Sequence, residues 1–179
     1  MKLKKVLAFG LCAIMLIGMV GCGQKDKATP LPFGLKFGDT YERIQENLDI
    51  GELHDATAND GYGTDVIPIT DEETIEILGT SDGVKGVAVS LWFNAEKEFY
   101  EFYCIFKTGG DQRLEVSDAI VQKYTALLGE GKEDTDVIAE WETDEYVVSY
   151  VCDDPFTALA GKETTHYICM HSKEFDFVE

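Results

Sequence analysis

Apart from glycines, apolar residues run unbroken from Val6 to Val20 and nowhere else at that length. From about Leu31 onward they are interleaved with polar residues in two distinct rhythms. The first is helical. Asp39 followed by Glu42 resembles the start of a capping box, and Tyr41, Ile44 and Leu48 then share one helical face, which predicts a short helix of about three turns. A longer helix is expected from Asp111 to Leu128, with Leu114, Val121, Tyr124 and Leu128 on one face and Gly129 as its stop. Between them, residues 49–63 read as loop because Gly51, Asn59-Asp60-Gly61 and Gly63 punctuate them. Short strands are expected at 64–69 and 73–78, before the turn residues Ser81-Asp82-Gly83.

The second rhythm is alternation. Val84 to Phe93 and Phe99 to Lys107 form two long strand patterns joined by Asn94-Ala95-Glu96-Lys97. Pairing Phe93 with Glu98 sets Val87 against Cys104, Val89 against Phe102 and Leu91 against Tyr100, which makes one face almost wholly apolar. A slip of one residue would turn every side chain to the other face and lose that separation. In this register the opposite face carries Trp92 across from Phe99, Ala88 across from Tyr103 and Ser90 across from Glu101, with Ile105 beside them. A second hairpin turns at Thr143-Asp144 and pairs Trp141 with Tyr146, Ala139 with Val148 and Val137 with Tyr150. Asp153 to Thr164 reads as loop, and a last strand covers about Thr165 to His171. Antiparallel hairpins with two helices on one face, in the order αβββ(β)αβββ, define an α+β domain.

The apolar run at the start changes the picture of where this domain resides. Lys2, Lys4 and Lys5 precede it, and it is shorter than the ~20 residues that span a bilayer comfortably. A charged start and a short apolar stretch ending in small residues mark a secretory leader. The stretch ends Met19-Val20-Gly21-Cys22, which resembles the bacterial lipobox, where signal peptidase cuts before a Cys carrying a diacylglyceryl thioether. The resemblance implies a leader over residues 1–21, lipidation at Cys22, and attachment to the outer side of the cell membrane. Two acyl chains suffice for stable anchoring. Residues 22–31 then form a polar tether, and residues 32–179 a single domain large enough for a real core.

Charge narrows the choice of partners. The whole chain carries −19, and loss of the three leader lysines takes it to −22. Such a body repels nucleic acid and anionic headgroups and favours cationic peptides, other basic ligands and divalent cations, although a solvated acidic surface is the plainer reading. Three cysteines remain in the exported part, Cys104, Cys152 and Cys169, so at most one disulfide is available; buried free thiols are the alternative.

Chemical motifs are sparse. Residues 55–66 have the acidity of a calcium loop, but Asp60 stands where Gly is required and Val66 where Glu is required. Cys169 and His171 share a strand face, yet two ligands do not close a zinc site. Neither Ser90 nor Ser149 lies in a Gly-x-Ser-x-Gly elbow. A catalytic pair built from Cys104 or Cys152 with His54, His166 or His171 is a spatial matter that spacing leaves open. Neither a catalytic residue, a metal nor a cofactor is expected. The segment Gly38-Asp39-Thr40 with the helix after it, and the later helix-to-Trp141 segment, resemble small bacterial lipoproteins of the β-lactamase-inhibitor-protein-like kind. That resemblance implies helices packed on an antiparallel sheet, and either binding to another protein or no known role, with no contact residues carried over. The expectation is therefore a lipid-anchored, non-enzymatic envelope protein that binds a protein or peptide. Its candidate binding face is formed by Trp92, Phe99, Tyr103 and Ile105, unless a loop or another sheet segment covers them. An envelope hydrolase and a purely structural lipoprotein are the alternatives.

Overall fold

The computed structural model describes residues 31–56, 61–132, 139–152 and 163–175. The expected leader, Cys22, the expected tether up to Pro30 and Val137 lie outside them. In chain order the elements are α1 (Tyr41–Gln45), β1 (Leu53–Ala56), β2 (Gly61–Thr64), β3 (Ile67–Pro68), α2 (Asp71–Leu78), β4 (Val84–Phe93), β5 (Phe99–Thr108), α3 (Arg113–Leu128), β6 (Ala139–Glu142), β7 (Tyr146–Cys152) and β8 (Thr164–Ser172). The strands form one antiparallel sheet in the order β1-β2-β4-β5-β8-β7-β6, with β3 also paired to β4. This is the expected α+β class, with one helix more than the sequence pattern suggested.

The added helix is α2, which occupies the stretch expected as a strand at 73–78. The alternation Thr74-Ile75-Glu76-Ile77 misleads there. Thr70 Oγ1 accepts from the Glu73 backbone N–H and Glu73 Oε2 accepts from Thr70 N–H at 2.6 Å, a complete capping box. Thr74, Ile77 and Leu78 then face inward at helical spacing, while Ile75 is half exposed. Gly79 ends the helix in the left-handed region. The last carbonyls of α2 are satisfied from α3: Lys123 Nζ donates to the Glu76 and Ile77 carbonyls, and Tyr124 OH donates to Ile77 O at 3.0 Å. A cation at a helix C-terminus is favourable.

Two more expectations are corrected near the start. α1 spans five residues rather than three turns, and its cap is Thr40, not Asp39. Asp39 instead accepts from Lys36 N–H at 3.0 Å and pairs with Arg43 at 3.1 Å. The segment 49–63, expected as loop, contains β1 and the start of β2. Gly61 is in β2 because the backbone of β4 comes close: a Cβ there would lie 2.4 Å from Phe93 O.

In both hairpins the expected division into faces holds, but the pairing is displaced by two residues. Val89 pairs with Cys104 and Leu91 with Phe102; in the second hairpin Ala139 pairs with Tyr150 and Trp141 with Val148. The first displacement arises in two single steps. The turn closes with Phe93 opposite Phe99, Lys97 taking a positive φ of 61°, and Tyr100 is then an extra residue opposite the Trp92–Phe93 step. Because a one-residue shift swaps faces and a two-residue shift restores them, only the residues between the two steps change sides. Phe99 is among them.

The core lies on one face of the sheet, under the three helices. Val89, Leu91, Phe93, Phe99, Phe102, Cys104, Phe106, Ile168, Met170, Val148, Tyr150, Ala139 and Trp141 are all buried there. Each large apolar side chain so placed contributes about 1.5–3 kcal/mol relative to exposure. α3 adds Val116, Ile120 and Tyr124, with Tyr124 against Trp141 at 5.4 Å. Leu114, expected on the inner face of this helix, is 66% exposed, and Ser117 faces inward instead.

Candidate functional site

The helix-free face of the sheet follows directly from the ladder. One row across it runs Gly63, Trp92, Glu101, His171, Val147, Glu142. The next runs Ser90, Tyr103, Cys169, Ser149, Glu140, and the third Ala88, Ile105, Tyr167, Val151. Each side chain points the same way as its neighbours because alternate residues of every strand share a face. The inward residues of α1, α2 and α3 all join the core on the other side, so among the described residues no helix covers these rows.

Trp92, Tyr103 and Ile105 lie on this face as the sequence suggested, each half-buried. Phe99 does not. It is fully buried on the core face, stacked on Phe37 at 5.5 Å, because the turn closes one residue later than expected. In its place β8 supplies Tyr167, whose ring lies 5.8 Å from that of Tyr103. The alternation Thr165, Tyr167, Cys169, His171 was visible in the sequence, but its position beside β5 is a long-range pairing that no local signal carries. Trp92 lies against Gly63, where an added Cβ would be 3.6 Å from the indole, an ordinary packing distance. The result is a diagonal band of Trp92, Tyr103, Tyr167 and Ile105 with small or aliphatic neighbours. Glu101 is embedded in the band, and Glu140 and Glu142 stand at its β6 end. Lys85 and Lys107 mark the opposite end, each 3.9 Å from Glu163. Aromatic side chains on such a face supply contact area with few rotatable bonds.

A second polar arrangement lies inside the molecule. Ser117 Oγ on α3 and Tyr150 OH on β7 share a hydrogen bond of 2.8 Å; Tyr150 OH and His166 Nδ1 share another of 2.8 Å; His166 Nε2 and Thr108 Oγ1 are 2.9 Å apart. The imidazole is sandwiched flat against Phe106, with centroids 4.8 Å apart and planes 8° apart. Burial raises the Tyr150 phenol above its usual range and keeps it neutral. Cys152 Sγ is 4.0 Å from His166 Nε2, farther than either hydroxyl. His166 is completely buried. This chain of hydroxyls and imidazole pins α3 to β7, β8 and β5, and it satisfies polar groups that would otherwise be costly to bury.

Among the described residues, Cys104, Cys152 and Cys169 are all free thiols. Cys104 faces the core and Cys169 the opposite side, so they cannot meet. Cys104 and Cys152 share the core side but are separated by β8, and two strand spacings amount to ~9.6 Å, beyond disulfide reach. Burial pushes the Cys104 thiol up to about 12, and burial together with Glu101, 3.4 Å from Cys169 Sγ, raises Cys169 as well. Among the described residues, no three His, Cys, Asp or Glu side chains form a group able to hold a metal ion. His54 pairs with Asp65 at 3.2 Å in solvent, away from His166 and His171.

Three comparisons bear on kinship: no family model, no curated protein and no solved structure matches this chain. No helix of the described residues is long and apolar enough to cross a membrane.

Proposed function

We propose that this chain is an extracytoplasmic lipoprotein, tethered through acylated Cys22, whose sheet receives another envelope protein or a cationic peptide on the band Trp92–Tyr103–Tyr167–Ile105. The observation that carries the reading is the position of those rings: half-buried, on the face opposite all three helices. A band of this kind costs solvation free energy when left against water, and burying it against a partner recovers that. The carboxylates of Glu101 and Glu140 on the same face, and the net charge of −19, favour a partner that brings positive charge to its rim. The reading is of binding rather than catalysis. The Ser117–Tyr150–His166–Thr108 chain is satisfied within the fold, and its imidazole has no surface from which to meet a substrate.

The experiment is site-specific photo-crosslinking in intact cells. A benzophenone side chain replacing Tyr167 is expected to give a discrete adduct that Tyr103→Glu abolishes. The same group at Leu114, exposed on the helix side, is expected to give none. Adducts of equal yield from both positions, or none from Tyr167, refute the docking face. The anchor is tested separately. Cys22→Ser is expected to release the protein from the membrane fraction, and unchanged retention refutes the lipid tether.

A further inference from the structure

At the β3 edge of the sheet, on the helix side, the core opens to solvent in a cavity of about 190 Å³. Val89 and Leu91 form its floor, and Leu48, Ile50, Ile67 and Ile69 are in its walls. Phe33 closes one side. Its backbone is held in the left-handed region at φ 60°, with its N–H donating to Glu76 Oε1 at 2.9 Å. A bulky residue seldom adopts that conformation, and here it sets the ring at the cavity rather than in solvent. The mouth lies where Asp49 and Pro68 are exposed. Among the described residues, two charged side chains line the cavity, Asp49 and Glu73, and both are carboxylates. Glu73 is fixed in place and in charge, because the Thr70 N–H and hydroxyl that it meets in the capping box hold its carboxyl below the usual range.

An apolar cavity of about 150 Å³ is large enough to take a benzene ring. This one has room for a phenyl ring or a short branched chain, and a negative rim where a substituent would emerge. We propose that it binds a small free amine of the arylalkyl- or alkylammonium class, its apolar end on Val89 and Leu91 and its ammonium between Asp49 and Glu73. An anionic isostere meets two carboxylates at the same mouth and is rejected. The site is separate from the outer face of the sheet, and neither proposal depends on the other.

The test is a titration of the purified full-length protein with three isosteres, followed by the methyl NMR shifts of Ile67, Ile69 and Leu91. The probes are phenethylammonium, 2-phenylethanol and 3-phenylpropionate. Saturable binding is expected in that order of affinity, with steps of roughly two- to fivefold, the size of an exposed ion pair. Glu73→Gln retains the capping-box acceptor, since Gln serves as well as Glu there. It is expected to weaken phenethylammonium by roughly two- to fivefold and to leave 2-phenylethanol unchanged. Ile67→Trp, which fills the cavity from a half-exposed wall, is expected to abolish all binding. Should that variant fail to fold, the isostere series and Glu73→Gln still decide the matter. No saturable shift with phenethylammonium overturns the proposal. So does equal affinity for the anion, or an equal effect of Glu73→Gln on the cation and the alcohol. A capped Phe-Lys dipeptide serves as the last arm. If it binds more than tenfold tighter than phenethylammonium, the occupant is a side chain of a partner protein and the small-amine assignment falls.

Discussion

Tyr150→Phe removes one oxygen atom from the centre of the molecule and leaves the ring in place. The ring keeps its near-parallel contact with His166, at 6.0 Å between centroids, so packing is essentially retained. What disappears is the hydroxyl that Ser117 Oγ and His166 Nδ1 share, each at 2.8 Å. A buried polar group deprived of its partner costs about 1–3 kcal/mol, and here two such groups lose theirs while one buried hydroxyl is removed. The expected loss is therefore about 2–3 kcal/mol, which for a domain of this size lowers Tm by roughly 5–10 °C. Ser117→Ala alone is expected to cost about 1 kcal/mol, because Tyr150 retains its bond to the imidazole. The double variant then costs less than the sum, since Ser117 can lose the shared bond only once; a coupling of about 1 kcal/mol is expected between groups in direct contact. Urea unfolding followed by the fluorescence of Trp141, which packs on Tyr124 of the same helix, reads all four corners of the cycle. A Tyr150→Phe protein within about 0.5 kcal/mol of the parent, or strict additivity, would show that the network does not bind α3 to the sheet as argued.

Gly61→Ala places a methyl 2.4 Å from Phe93 O, so β2 must move away from β4; hydrogen exchange should accelerate in β1 and β2 while β5, β7 and β8 remain protected. Cys104 and Cys169, whose thiols are raised by burial, should react with a disulfide reagent at pH 8 only after denaturation; fast native labelling of either contradicts their placement. Glu142 accepts from Lys132 at 2.8 Å and Lys173 at 2.6 Å, and these bonds hold its carboxyl down to about 2. A lowered carboxyl pKa stabilises the fold above the ordinary value of about 4.5 and loses that contribution as pH falls toward 2. Glu142→Gln should therefore flatten the acid limb of the stability profile across that window. The cluster is exposed, so added salt should shrink the difference.

The alternating stretches carried the most information. Val89, Leu91, Phe102 and Cys104, and likewise Ala139, Trp141, Val148 and Tyr150, were assignable to the buried side from their spacing, and all are buried. The period of a strand is two, so parity alone sorts its faces. The offset along the ladder was not legible, because it depends on where each turn closes and on the extra residue Tyr100. Trp92, Tyr103 and Ile105 therefore keep the outer face that parity assigns them, while Phe99, beside the turn, lies on the core face. The start of helix α2 is legible in Thr70-Asp71-Glu72-Glu73, a capping-box sequence, although the short alternation after it has the period of a strand.

The amino-acid pattern on its own determined the α+β class, the existence of both long hairpins and of helices near residues 41 and 111–128, and which side of each hairpin faces inward. These follow from the local period of apolar residues and from capping chemistry, interactions that extend a few residues along the chain. The tertiary structure alone decided that β8 lies between β5 and β7, bringing Tyr167 to Tyr103 and His166 to Tyr150 and Thr108. It also decided that Ser117 rather than Leu114 faces inward, and that a cavity with an acidic rim remains between the segment after α1, β3, β4 and α2. Such contacts join residues tens of positions apart. They are selected by the free energy of the whole packed core, to which no single stretch of sequence holds the key.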